Sequence, residues 1–408
     1  MHRRLLFAPL IVCLTSASGC SGAGPAEGMP PPRRGLLLAL SQFEVTPEGQ
    51  VLPKPKAARL EVLVPRTDGW EVVPLEDSES NVFHKAMAYD PGTAAPGILT
   101  LGGTAAALKL WRRGPGGFTA ETLWRRDFGG KFSRMREAET LPLAGGRVGL
   151  VVATHDQGVV ALVTPTADGW DVRELDRRKD TFVHEIEVGD LDGDGTAEIY
   201  ATPSEPNLFD GKPQRGTVVR YASSGEPRPT VVADLGQRHA KEILVEDVDG
   251  DGRDELYVSI EAVGGGRLEI RRYDADTDPA LGVLVARLED QLCRFLTAGD
   301  VDGDGRREIV AAAHKSGLWL LRPSNKPGAP WVKSSIDRAS SGFEHATILA
   351  DLDGDAADEL YVASDDQGEV RRYVWRNGEF EREVLLRREI PAAVFTWNLM
   401  PVPLELVE

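Results

Sequence analysis

The sequence predicts an all-β protein folded as a seven-bladed β-propeller, and three observations predict it. An acidic motif, D-x-D-G-D-G-x-x-E, recurs with near-regular spacing. Each recurrence sits in a unit that reads as four short strands. The residues left at the two ends of the chain add up to one more unit, divided three strands to one.

The recurrences are VGDLDGDGTAEIYAT, VEDVDGDGRDELYVS, AGDVDGDGRREIVAA and LADLDGDAADELYVA. Their first aspartates are Asp190, Asp247, Asp300 and Asp351, separated by 57, 53 and 51 residues. Two degenerate copies lie upstream. FHKAMAYD puts Asp90 in register, and RMREAET puts Glu139 or Thr140 there. In the third unit the strands are HEIEVGD, EIYATP, GTVVRYAS and PTVVADL. Alternation and β-branched residues support strands, and glycine-containing turns part them. Asp68-Gly69, Asp168-Gly169 and Asn377-Gly378 are tight-turn dipeptides between third and fourth strands. No run after the leader carries helical periodicity. Four-stranded units of this length are the mark of a propeller.

Six units have first strands near residues 84, 134, 184, 241, 294 and 345. Before them, GLLLALSQ, ARLEVLVPR and WEVVPLED match second, third and fourth strands. After them, AVFTWNLMPV matches a first strand alone. A mixed seventh blade of three N-terminal strands and one C-terminal strand closes the ring and removes exposed edges. Rings of six or eight blades remain alternatives.

The N-terminus reads as a targeting segment. Arg3 and Arg4 precede an apolar stretch, Leu5 to Leu14, too short to span a bilayer. Ala17-Ser18-Gly19-Cys20 is similar to a bacterial lipobox, which implies a signal peptide over 1–19, lipidation of Cys20 and a membrane anchor. Ser21 then favours the outer membrane, by resemblance to lipoprotein sorting. Residues 20–34, rich in glycine and proline, form a flexible tether, and 35–408 form one domain, read as a monomer. Loss of the leader removes Cys13, and acylation uses Cys20. Cys293 is left alone in an apolar stretch, as a buried structural thiol without a disulfide. The net charge of −17 excludes a general nucleic-acid binder.

Alternating aspartates turn several carboxylates toward one centre, which suits a hard cation wanting six to eight oxygens. The chain thus resembles the bacterial FG-GAP/VCBS repeat family, related to the calcium-binding blades of integrin alpha chains. The aspartate loop carries the match, directly over residues 81–363. The expected cofactor is calcium, in a structural role. The expected ligands are Asp190, Asp192, Asp194, the Thr196 carbonyl and Glu198 in the first loop; Asp247, Asp249, Asp251, the Arg253 carbonyl and Glu255 in the second; and Asp300, Asp302, Asp304, the Arg306 carbonyl and Glu308 in the third. The fourth has Asp351, Asp353, Asp355 and Glu359, with Ala356 in place of the last glycine.

Histidines point to the opposite face. His84, His184 and His345 share one repeat position, six residues before the loop aspartate or its equivalent. Lys241 and Arg294 fill that position in two other blades, and Arg134 lies close to register. His155 and His314 share the turn between second and third strands, and His239 is in an adjacent connection. Together they predict a basic ring at one mouth of the channel. Such a ring focuses positive potential on an anionic ligand such as an acidic glycan, or on a protein partner. The expected function is a binding module. The alternative is a sugar lyase or dehydratase using the same ring, although no local catalytic signature is present. Arg125-Arg126 and Arg371-Arg372 are expected on solvated outer strands.

Overall fold

Alternating, β-branched segments become strands throughout the computed structural model, which describes residues 33–129, 133–206, 210, 212–225, 228–324 and 330–408. The expected signal peptide, Cys20 and the expected tether up to residue 32 lie outside the described residues. Residues 33–408 form one compact unit.

Blades 1 to 6 span 83–125, 135–176, 182–234, 240–288, 293–337 and 347–387, each a four-stranded antiparallel sheet in sequence order. Blade 7 is the composite that the leftover strands predict. Its innermost strand, Val394–Pro403, pairs with Arg34–Val45 from Arg34↔Pro403 to Gln42↔Val394. Arg34–Val45 then pairs with Ala58–Arg66, and that strand with Gly69–Asp77. One strand was not expected. Val51–Pro55 folds back on the end of Arg34–Val45 as a short hairpin. At Asn377-Gly378 both residues take positive φ, 52° and 90°, as a tight hairpin turn requires.

The apolar core is divided among the interfaces. Seven clusters of buried side chains are found among the described residues, and each lies between two neighbouring blades. The second strands explain the pattern. Glu255–Ile260, Glu308–Ala313 and Glu359–Ser364 are buried along their whole length, because each faces a neighbouring blade on both sides. Hence they read as apolar runs without alternation. Fourth strands such as Val332–Asp337 lie at the rim and are largely exposed. Each fully buried leucine or valine stabilises by about 1.5–3 kcal/mol. Trp170 also bridges blades, packing at a tilt against Tyr89 and donating Nε1–H to Glu121 at 2.9 Å.

Polar latches join the acidic loops of neighbouring blades. The Asp190 N–H donates to the Asp254 carboxylate at 2.7 Å, and the Asp254 N–H donates to the Asp190 carbonyl at 3.2 Å. Asp300 and Asp358 repeat the pair at 2.9 and 2.8 Å. Between these two latches the chemistry differs, because Arg307 meets Glu246 at 2.9 Å. The residue before each loop explains the alternation. A Cβ on Gly189 would lie 2.6 Å from Asp254 Oδ2, and one on Gly299 would lie 2.5 Å from Asp358 Oδ2. Glycine admits the carboxylate; Glu246 instead calls for a cation.

Replacing Asp254 by alanine leaves the Asp190 N–H without its acceptor, and a loss of about 1–3 kcal/mol is expected. Urea unfolding in chelator checks this. Asp276→Ala, at an exposed site, should fall within about 0.5 kcal/mol of the parent.

Candidate functional site

Four acidic loops occupy one face, between first and second strands. In each, three aspartates offer oxygens within 4.8 Å of one another: Asp190, Asp192 and Asp194; Asp247, Asp249 and Asp251; Asp300, Asp302 and Asp304; Asp351, Asp353 and Asp355. Glu255 joins the second group. The backbone already holds these shapes. Asp190 accepts N–H bonds from Gly193, Asp194 and Gly195 at 2.8, 3.1 and 2.7 Å, and Asp247 repeats the pattern with Gly250, Asp251 and Gly252. Gly195, Gly252 and Gly305 turn through φ of 83°, 89° and 85°. Ala356 adopts 76° at the same point, a left-handed conformation that costs a residue with a Cβ about 1–2 kcal/mol. The all-oxygen, acidic donor sets fit a hard metal ion.

The closing glutamates are engaged by protein. Glu255 accepts the Val248 N–H at 3.1 Å and the Tyr257 hydroxyl at 3.0 Å, and Glu359 accepts Leu352 and Tyr361 at 3.3 and 2.8 Å. Burial pushes the Glu255, Glu308 and Glu359 carboxyls up to about 7, against their arginine neighbours Arg272, Arg322 and Arg372. Arg371-Arg372 therefore corrects the expectation of a solvated pair. Arg371 is buried against Glu369, and Arg372 reaches Asp353 and Glu359. Arg125 and Arg126 are exposed as expected.

At the opposite end, the first strands converge on the axis. In blades 1 to 5 and 7 the pairing register slips at one common point, marking a bulge. A bulge re-aims the side chain at that point. The residues there are His84, Arg136, His184, Lys241, Arg294 and Trp397, while blade 6 turns through a left-handed conformation at His345, φ 57°. Two corrections follow. The blade 2 member is Arg136 and not Arg134, so Pro142, rather than Glu139 or Thr140, stands in register with the loop aspartates. Blade 7 contributes Trp397, which the sequence reading missed because one extra residue in a strand breaks its alternation.

The histidines do gather. His84, His155, His184 and His239 form an arc, with successive ring centroids 6.4, 5.1 and 5.9 Å apart. Their states differ. His84 donates Nδ1–H to the Met135 carbonyl at 2.9 Å and accepts from Arg134 at 3.3 Å. His345 donates Nδ1–H to the Ala313 carbonyl at 2.9 Å and bonds Ser340 at 2.8 Å, so both its ring nitrogens are engaged by the protein. His155 packs on Phe182 at 3.8 Å. His184 and His239 are 2% and 3% exposed, yet neither ring nitrogen of either has a hydrogen-bond partner among the described residues. Burial, followed by the Lys241 charge, holds both rings below the usual histidine range, His239 at about 3. His314 is half-buried, and burial lowers it as well.

Charge crosses the channel here. Arg136 of blade 2 meets Glu344 of blade 6 at 3.4 Å, and Arg294 lies 5.1 Å over the Phe343 ring. Below this cationic tier lies an acidic one that the sequence reading missed. Lys85 pairs with Glu137 at 2.5 Å and with Glu139. Glu185, Glu187 and Glu242 share the level, and burial and mutual repulsion push their carboxyls well above the ordinary range. Glu185 and Glu187 are surrounded by protein but keep access to water along the lumen. The mouth is thus a cationic tier stacked on a carboxylate tier, rather than a simple basic ring. Cys293 is free and buried, with its thiol pushed up by burial and unsuited to act as a nucleophile.

No family model matches the chain. No curated protein matches it either. Solved structures do match in fold. A candidate 6-phosphogluconolactonase from Bacteroides uniformis is 12% identical, with a TM-score of 0.54 over 91% of this chain and 99% of that one. A protein from Lactobacillus plantarum is 10% identical, with a TM-score of 0.57 over the same shares. At these identities the likeness is one of propeller fold alone.

The buried histidines make a pH prediction. Burial lowers His345 from 6.5 to about 4, worth roughly 3 kcal/mol. Between those values the unfolded chain binds the proton and the folded chain does not, so stability falls as pH drops from 6.5 to 4. His345→Asn tolerates the left-handed backbone. It should flatten the acid side of the curve of melting temperature against pH.

Proposed function

We propose that the protein is a calcium-stabilised binding module of the cell envelope, which takes a compact anionic ligand, an acidic sugar, at the cationic end of its channel. One observation carries the reading. His184 and His239 bury four ring nitrogens without hydrogen-bond partners beside Lys241. A buried polar atom left unsatisfied costs about 1–3 kcal/mol. A ligand oxygen accepting the one N–H of each neutral imidazole, and a ligand hydroxyl donating to the other ring nitrogens, remove that penalty.

The charges select the ligand class. Arg294 repels a divalent metal and attracts a carboxylate; burial and the Arg294 charge push the Lys241 ammonium well below its ordinary range, so an anion beside it favours the charged form. Burial selects its size. Arg294, Lys241 and Arg136 are each less than a tenth exposed, which favours a small anion or a chain end over a polymer lying across the mouth. Calcium is the ion we assign to the acidic loops, on the strength of their hard oxygen donors and extracellular setting. The setting rests on the leader before Cys20, whose lipid would hold the module to the outer membrane.

Lys241→Gln with Arg294→Gln should weaken binding to uronate-bearing glycans at least about tenfold on a calcium-containing array, with the melting temperature kept within a few degrees. Uronate binding undiminished in the folded variant would sink the reading. Product formation from the same glycans would replace the binding module by an enzyme.

The loops have their own measurement. Chelation should lower the melting temperature by several degrees, and calcium should restore it. A flat response would remove calcium from the scaffold.

A further inference from the structure

Each acidic loop already faces a cation supplied by its own chain. Arg220, Arg272, Arg322 and Arg372 lie on the third strands of blades 3 to 6. Each guanidinium bridges the same two carboxylates, the second aspartate of the loop and its closing glutamate. The distances to Asp192, Asp249, Asp302 and Asp353 are 3.5, 2.7, 2.7 and 2.5 Å. Those to Glu198, Glu255, Glu308 and Glu359 are 2.9, 3.4, 3.3 and 2.7 Å.

The chain reaches this contact by two routes. In blades 3, 4 and 6 the arginine pairs directly across from a tyrosine, as Tyr200↔Arg220, Tyr257↔Arg272 and Tyr361↔Arg372. Blade 5 has Val310 in place of the tyrosine, paired with Leu320. There Arg322 stands nearer the loop, just beyond the Ile309↔Leu321 pair, with Trp375 of blade 6 stacked 4.8 Å away. Repetition of a common ancestor accounts for one strand position. It does not account for a second position that restores the same contact.

We infer that these arginines are resident counter-cations that compete with calcium for the loops. The inference rests on the calcium reading. Each loop gathers four carboxylates, and the arginine neutralises one charge and braces two of the four groups when no ion is bound. The planar fork suits two acceptors at once. With an ion present, the same positive charge lies beside a ligand oxygen, repels the ion and lowers affinity. Ligand charge count is what tunes calcium affinity in such loops. The four loops are therefore set to fill where calcium is abundant, and to keep their shape where it is scarce.

The test uses the full chain and calcium itself, by calorimetry and by thermal melting with and without chelator. In Arg272→Met, one site per chain should tighten by about tenfold, while the calcium-free melting temperature falls. In Arg272→Met with Arg322→Met, two sites should tighten. Arg272→Lys keeps the charge and should bind calcium much as the parent does. Unchanged or weaker calcium binding by folded Arg272→Met and Arg322→Met overturns the inference. So does failure of both to fold in calcium, which would make the arginines framework only. A parent that gives no calcium heat and no melting shift fails the calcium reading itself, a separate result.

Discussion

The pairing of Val394–Pro403 with Arg34–Val45 is the interaction on which the rest depends. Among the described residues the buried apolar side chains lie between blades, in seven clusters with no common centre. An open row of blades would leave two such faces in water and two sheet edges unpaired. Joining the chain ends turns the row into a ring and buries the last interface, where Leu36, Leu38 and Leu63 of blade 7 pack with Tyr361 and Val370 of blade 6. The polar channel is a product of that closure. Seven inner strands around one axis cannot fill the centre with apolar side chains, so charged ones line it.

Once the axis is polar, its charges must be arranged. Lys85 among Glu137 and Glu139, and Arg136 against Glu344, compensate each other in a region where an unpaired charge is expensive. The arrangement is polarised, with cations toward the histidine end and carboxylates below. The two faces of the protein therefore differ in kind. The loop face presents clustered acid on exposed turns. The channel face presents cations and neutral imidazoles that are nearly sealed from water.

Much of the fold was legible because its signals are local. The D-x-D-G-D-G-x-x-E motif marks the turn between first and second strands wherever it occurs, and counting from it located Lys241, Arg294 and His184. The 3+1 closure was legible because GLLLALSQ and AVFTWNLMPV had no other strands to join. What was missed depends on contacts far apart in sequence or on slips of register. Arg136 displaced Arg134 because a bulge shifts the count. Trp397 joined the mouth from a strand with no acidic loop behind it. Arg372 reads as half of a basic pair until the fold sets it against Asp353 and Glu359. The carboxylates at Glu137, Glu185 and Glu242 alternate like surface residues, and only ring closure turns that face inward.

The latches between loops have a consequence for the order of the blades. Asp254 fits behind Gly189, Arg307 fits against Glu246, and Asp358 fits behind Gly299. The blades look like copies, yet their edges are keyed. Moving blade 5 to follow blade 3 would set Arg307 against a glycine with no carboxylate to meet, and would leave Glu246 facing Asp358. A newly made chain, with several similar sheets free to stack in the wrong sequence, thus carries at these three junctions a lock that opens only to a neighbour of matching chemistry.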